Sequence, residues 1–258
     1  MSASSTRRSD VNPNDPIRLS TAASLAFPDG SMTSSGLRKE ALRGRLVIER
    51  IAGKDFTTLA HIERMRELCR VLLIGLYTGT RAGAIASASP YRDEGRSYVD
   101  LEHGIFYRLA QGQTGTKKRQ PPAPLPDRLL AHMRRWVRTD AIVSHFVEFN
   151  GAAVKSVKTG FRSAVRLARL STEQGKVTPH TLRHTAATWL MQHGADPWKA
   201  AGFLGMSVEV LLDTYGHHHP EFLRDAATAI TSKPKQNSVS GVISGVDLAA
   251  YREKRRKA

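Results

Sequence analysis

The stretch HTLRHTAATWL, His180–Leu190, joins an apolar stripe to a cluster of cations. Leu182, Ala186, Trp189 and Leu190 recur at the spacing that lines one face of a helix. His180, Arg183 and His184 fall near its start, partly off that stripe. Thr178-Pro179 supplies the start itself: proline fits a first turn, where its missing N–H costs nothing, and threonine can accept an orphan backbone N–H. Cations gathered at the positive end of a helix dipole disfavour an isolated helix and suit an anion, of which phosphate is the expected one.

Composition points the same way. The 258 residues carry a formal net charge of +16, with a pI near 10.5, a balance suited to a polyanion and to nucleic acid before a membrane surface. Apolar runs such as VLLIGLY, Val71–Tyr77, are far short of the roughly 20 residues a spanning helix needs. MSASSTRRSD lacks the apolar stretch of a secretory signal. Cys69 is the only cysteine, which excludes an internal disulfide framework and any multi-cysteine metal site. The expected setting is a reducing cytoplasm, with the chain at the nucleoid.

Along the chain, residues 1–17 read as a flexible polar leader. LSTAASLAF, Leu19–Phe27, is a short helix closed by the turn residues Pro28-Asp29-Gly30. TSSGLRKEALRGRL, Thr33–Leu46, begins with capping residues and sets Leu37, Ala41 and Leu42 on one side. VIERIAGKDFTT, Val47–Thr58, alternates around Gly53-Lys54 as a small hairpin does. Helix, turn, basic helix and hairpin over 18–64 resemble a winged helix-turn-helix of the excisionase or MerR type. That resemblance implies a helix around Ser35–Gly44 entering the DNA major groove, with Arg38, Lys39 and Arg43 as contacts.

Leu59–Tyr77 then carries helical periodicity in Ile62, Met65, Leu68, Leu72, Leu73 and Leu76, broken by Gly79. Short alternating segments between Tyr98 and Leu125 predict a small antiparallel sheet, its prolines confining the last strand to an edge. From Asp127 the pattern is helical almost to Thr231, and a basic tail follows over 232–258. The fold class expected is mainly α with a small antiparallel sheet, an α+β domain.

Three pieces, YTGTR ending at Arg81, HTLRH at His180–His184 and LLDTYGHHH around Tyr215, stand in the order found in the tyrosine recombinases of the phage integrase family, which residues 65–231 resemble. The resemblance implies an integrase-type catalytic domain preceded by the winged-helix-like module, and a site-specific DNA recombinase that cuts and rejoins DNA through a 3′-phosphotyrosyl intermediate. It further implies double-stranded DNA as partner and a homo-oligomer, a tetramer, on DNA. The residue types suit that chemistry. Two guanidinium groups, Arg81 and Arg183, would neutralise charge building on the non-bridging oxygens. Tyr215 would be the nucleophile. His180 would accept its proton or orient the phosphate, and a lysine from the sheet would protonate the leaving 5′-oxygen. Lys117, Arg119, His184 and His217 are further expected DNA contacts. The chemistry requires no metal or other cofactor, and three consecutive histidines, His217–His219, cannot all face one ion.

The chain departs from the family pattern at three places. Ile85 stands where an acidic residue usually braces the first arginine. Met206 replaces the His or Trp that follows Leu-Gly, and a thioether cannot donate to phosphate. Gln113 occupies the usual lysine position, leaving Lys118, or Lys117 beside it, as the candidate general acid. A proton-transfer catalyst is worth about 100- to 10,000-fold in rate. The alternative reading is therefore a catalytically impaired remnant or fusion that acts as a DNA-binding protein. A transcriptional regulator run by the N-terminal module is a more distant one.

Overall fold

In the computed structural model, residues 8–114, 119–139, 142–149, 151–170 and 175–231 are described. Two units separate by their contacts, one running to Phe222 and the other starting at Leu223. The first begins with β1 (Ile17–Arg18), α1 (Leu19–Ala26), α2 (Ser34–Leu42), β2 (Glu49–Ile51) and β3 (Lys54–Thr57). The strands form an antiparallel sheet in the order β1-β3-β2. Ile51 pairs with Lys54, so the hairpin turns at Ala52-Gly53, both at positive φ (50° and 74°), one residue earlier than the sequence suggests. Two positive-φ residues give the turn whose twist matches that of the strands. The Thr33 hydroxyl caps α2 by accepting from Gly36 N at 3.3 Å.

The long helix α3 (Leu59–Thr78) is capped by Thr58, whose hydroxyl accepts from His61 N at 3.1 Å. Its first turns bury Leu59, Ile62 and Met65 with Leu19, Ala22, Leu37 and Leu46 of the N-terminal segment. Its later turns bury Val71 and Ile74 in a second core with Ile85, Val99, Phe106 and Leu182. The boundary expected at 64/65 thus falls inside one continuous helix.

Next come α4 (Ala82–Ala86), then β4 (Ala88–Ser89), β5 (Ser97–Asp100), β6 (Ile105–Tyr107) and β7 (Ala123–Pro124). These strands form one sheet in the order β4-β5-β6-β7. The β4-β5 pair is parallel and the other two are antiparallel, which corrects the expectation of a wholly antiparallel sheet. Strand β7 lies at the edge, as its prolines require. Val99 and Phe106 face the core, while Tyr98 and Tyr107 stack on the opposite face with ring centroids 5.9 Å apart.

α5 (Asp127–Thr139) is followed by a loop and a short hairpin, β8 (Glu148–Phe149) with β9 (Ala152–Ala153), which interrupts the expected run of helices. Its organiser is the buried Glu148 carboxylate, which accepts from the backbone N–H of Val143, Ser144 and His145 at 2.9 to 3.1 Å. Glu148 N donates in turn to Glu67 Oε2 of α3 at 2.8 Å.

α6 (Lys158–Leu167), α7 (Pro179–Gln192), α8 (Pro197–Leu204) and α9 (Val208–Tyr215) complete this unit. α7 packs on α3 at Gly75, where a side-chain carbon would collide with Leu182, so glycine permits the close approach. The second unit holds α10 (Arg224–Thr231). Among the described residues no helix is long and apolar enough to cross a membrane, and no three His, Cys, Asp or Glu side chains group as a metal site.

Candidate active site

The site is built on the end of α3. Gly79 closes that helix in the left-handed region (φ 59°), a conformation that a side chain would strain and, here, drive into Leu204. Terminating the helix leaves the carbonyls of Thr78 and Gly79 without helical partners. Guanidinium groups take them: Arg108 Nη2 donates to Thr78 O and Arg183 Nη1 to Gly79 O, each at 2.8 Å. Cations at the negative end of a helix dipole are favourably placed. Arg81, two residues beyond the cap, is half-buried and donates through Nη1 to Arg119 O at 2.6 Å. Arg108 Nη1 also reaches Phe203 O on α8 at 2.6 Å.

Among the described residues these three arginines donate to neutral backbone carbonyls, and none of them pairs with a carboxylate. Burial, followed by the charge of Arg81, pushes Arg183 down to about 10. Arg108 is pushed down to about 10 by burial, then by Arg183 and Arg81. The like charges lower one another's pKa values, and a cluster of guanidinium groups with no acidic partner among the described residues is one that an anion would relieve. Ile85, at the position of the missing acidic brace, is fully buried in the core, and the Arg119 carbonyl does the bracing.

Tyr215, the last residue of α9, is 7% exposed and packs with Leu204, Leu211 and Ala187. Its hydroxyl lies 2.5 Å from His184 Nδ1. His180 meets His184 edge-on, ring centroids 4.6 Å apart. Burial raises the phenol pKa, with Arg183 pulling the other way. At neutral pH the hydroxyl is protonated, and making it a nucleophile requires an acceptor for that proton.

Of the residues singled out from sequence, Arg81, Arg183, His184 and Tyr215 converge, with His180 edge-on to His184 and Arg119 joined through its carbonyl. The phenol hydrogen bond goes to His184, expected only as a DNA contact, and not to His180. Arg183 is buried at the centre of the inner face of α7, beside Leu182, Ala186, Ala187 and Met191, whereas Trp189 is 43% exposed. The stripe expected through Trp189 is therefore rotated, because a carbonyl partner lets the arginine enter the core. His217 is exposed, its ring tilted against that of His218. Lys117 and Lys118 lie outside the described residues. On α2, Arg38 pairs with Asp55 at 2.6 Å and Arg43 with Glu40 at 3.2 Å, while Lys39 is exposed. Arg108 escaped the sequence reading, although its alternation with Phe106 placed a charge on the inward phase of a strand.

The phage integrase family model matches residues 54–221. No curated protein matches the chain. Among solved structures, XerA recombinase is similar at 25% identity and a TM-score of 0.43, over 66% of this chain and 58% of that one. The Tn1549 transposon integrase in complex with a circular intermediate DNA is similar at 17% identity and a TM-score of 0.48, over 66% and 59%. XerH site-specific recombinase, bound to a palindromic difH substrate, is similar at 20% identity and a TM-score of 0.47, over 66% and 47%. The chain thus spans less than two thirds of each of these proteins. The family match takes in Arg81, His180, Arg183 and Tyr215 and more than half of the sequence, and the chain belongs to the phage integrase family.

Proposed function

We propose that the protein is a site-specific recombinase that cuts and rejoins DNA through Tyr215. The observation that carries this reading is the buried Tyr215 phenol in hydrogen-bonding contact with His184 Nδ1, beside an arginine centre that no carboxylate of the described residues neutralises. The scissile phosphodiester supplies the anion. Arg81 and Arg183 hold its non-bridging oxygens, the Tyr215 oxygen bonds to phosphorus, and the bond to the 5′-oxygen breaks. The phenol proton passes to His184, with His180 ordering that ring. The 5′-oxygen takes a proton from Lys118 or its neighbour Lys117. Attack by a new 5′-hydroxyl reverses these steps and releases Tyr215.

Double-stranded DNA is the proposed substrate, a tetramer on two duplexes the working form, and the cytoplasmic nucleoid the setting. The domain plan is a leader over 1–17, a DNA-binding module over 18–64, a catalytic domain over 65–231 and a basic tail. The sequence β1-α1-α2-β2-β3 supports the winged-helix reading of the module, with α2 and the β2-β3 hairpin as its DNA-facing parts. A second reading, an impaired DNA-binding remnant, is favoured by the neutral Gln113 and by Met206.

Nicked suicide duplexes tiled across the DNA flanking the coding sequence separate the two. Strand transfer predicts a denaturation-resistant protein–DNA adduct that disappears in Tyr215→Phe. Gel shift of those duplexes with no adduct from either protein would leave the remnant reading in place.

A further inference from the structure

Arg108 is a buried charge to which the proposed chemistry gives no part. It follows β6, in phase with buried Phe106, and is 3% exposed. Through its two terminal nitrogens it grips Thr78 O, three residues before Arg81, and Phe203 O on α8. One planar group thus ties the turn that presents Arg81 to the helix whose next residue, Leu204, packs with Tyr215. The next carbonyl of the same turn, Gly79 O, is held by Arg183. The Nε of Arg108 is buried without a hydrogen-bond partner among the described residues, and a buried cation lacking both an anion and a full set of acceptors is costly. An apolar side chain would fill that space without the cost.

We infer that Arg108 is a positioning residue of the phosphate site: it clamps Thr78 and Phe203 so that Arg81 and Arg183 meet one phosphate, and its own charge is balanced only when that anion is bound. The inference deepens the recombinase reading and rests on it. Lysine would retain the charge but lacks the rigid fork that reaches two carbonyls, so charge and geometry can be separated.

The test compares the full-length protein with Arg108→Met and Arg108→Lys. Three quantities are read: adduct formation at saturating nicked duplex, DNA affinity by gel shift, and the unfolding temperature with and without inorganic phosphate. Misplacing the reacting groups predicts that Arg108→Met slows adduct formation about 100-fold. Affinity, set by many other phosphate contacts, changes less than about threefold. Arg108→Lys recovers part of the rate. Saturating phosphate raises the unfolding temperature of the unaltered protein by roughly 3 °C, and that of Arg108→Met by no more than about 1 °C. Adduct formation by Arg108→Met at the unaltered rate overturns the inference, as does a lysine variant no better than methionine. If the unaltered protein forms no adduct, the recombinase reading fails by itself. The phosphate shift still decides Arg108, since an equal shift in Arg108→Met refutes the role and a diminished one upholds it.

Discussion

In the proposed reaction a single proton separates an inert Tyr215 from a nucleophile, and His184 Nδ1 is the ring nitrogen within hydrogen-bonding distance of its hydroxyl. His184→Ala is expected to slow adduct formation about 100- to 10,000-fold at neutral pH. Because burial holds the phenol above its ordinary range, raising the pH toward and past 10 should restore part of the rate by deprotonating Tyr215 directly. A variant with an unchanged rate at neutral pH, or with no gain in alkali, would count against His184 as the acceptor. That Arg81, His180, Arg183 and Tyr215 come together was legible from sequence because their types and order match one family pattern. The division of labour between His180 and His184 was not legible. Both lie at the start of α7, and only the position of α9 decides which ring meets the phenol. Arg108 was hidden for a similar reason: its partners, Thr78 O and Phe203 O, are backbone atoms 30 and 95 residues away in sequence.

At the scale of elements, α2, α3 and α7 were readable from periodicity and capping residues, and α1 from the Pro28-Asp29-Gly30 turn that closes it. The two-residue strands β4, β8 and β9 have no period to read, and a carboxylate takes over from pattern in the loop before β8. Glu67 links that loop to α3, accepting from Arg70 Nη1 at 2.6 Å and from Glu148 N. Burial pushes its carboxyl up from 4.5 to about 8. Between those values the folded chain keeps a proton that the unfolded chain releases, so this group's contribution to stability is full at low pH and declines as pH rises toward 8. Glu67→Gln, which cannot titrate, should flatten the dependence of the unfolding free energy on pH over that window; an unchanged slope would show that Glu67 does not titrate there. The β2-β3 turn offers a second measurement. Ala52 holds a left-handed conformation (φ 50°) that asparagine adopts more readily, and Asn-Gly is the favoured pair for this turn. Ala52→Asn is expected to raise stability by about 1 kcal/mol, read from chemical denaturation. A destabilised variant would mean that the side chain at this position does more than follow the turn.

For the whole molecule the governing quantity is charge. A formal +16 suits a polyanion such as the proposed DNA, but it does not say which faces would make the contact. Ion pairing narrows the choice in the N-terminal segment. Arg38 and Arg43 spend much of their charge on Asp55 and Glu40. Lys39 on α2 is exposed, and Arg50 on the hairpin reaches Asp55 only at 3.9 Å. If this segment reads DNA as a winged helix does, Lys39 and Arg50 are among the cations placed to touch phosphates, one from the groove-entering helix and one from the wing. Each phosphate contact releases counterions and adds about 0.9 to the slope of log affinity against log salt. Replacing both residues with glutamine should therefore weaken binding and lower that slope by about 2, whatever the sequence of the duplex. A titration of the double variant from low to moderate salt measures both numbers at once. Weakened affinity with the slope intact would point to a fold defect instead of lost contacts. If neither quantity changed, Lys39 and Arg50 would not touch the duplex, and the positive charge proposed to bind DNA would have to lie at other residues.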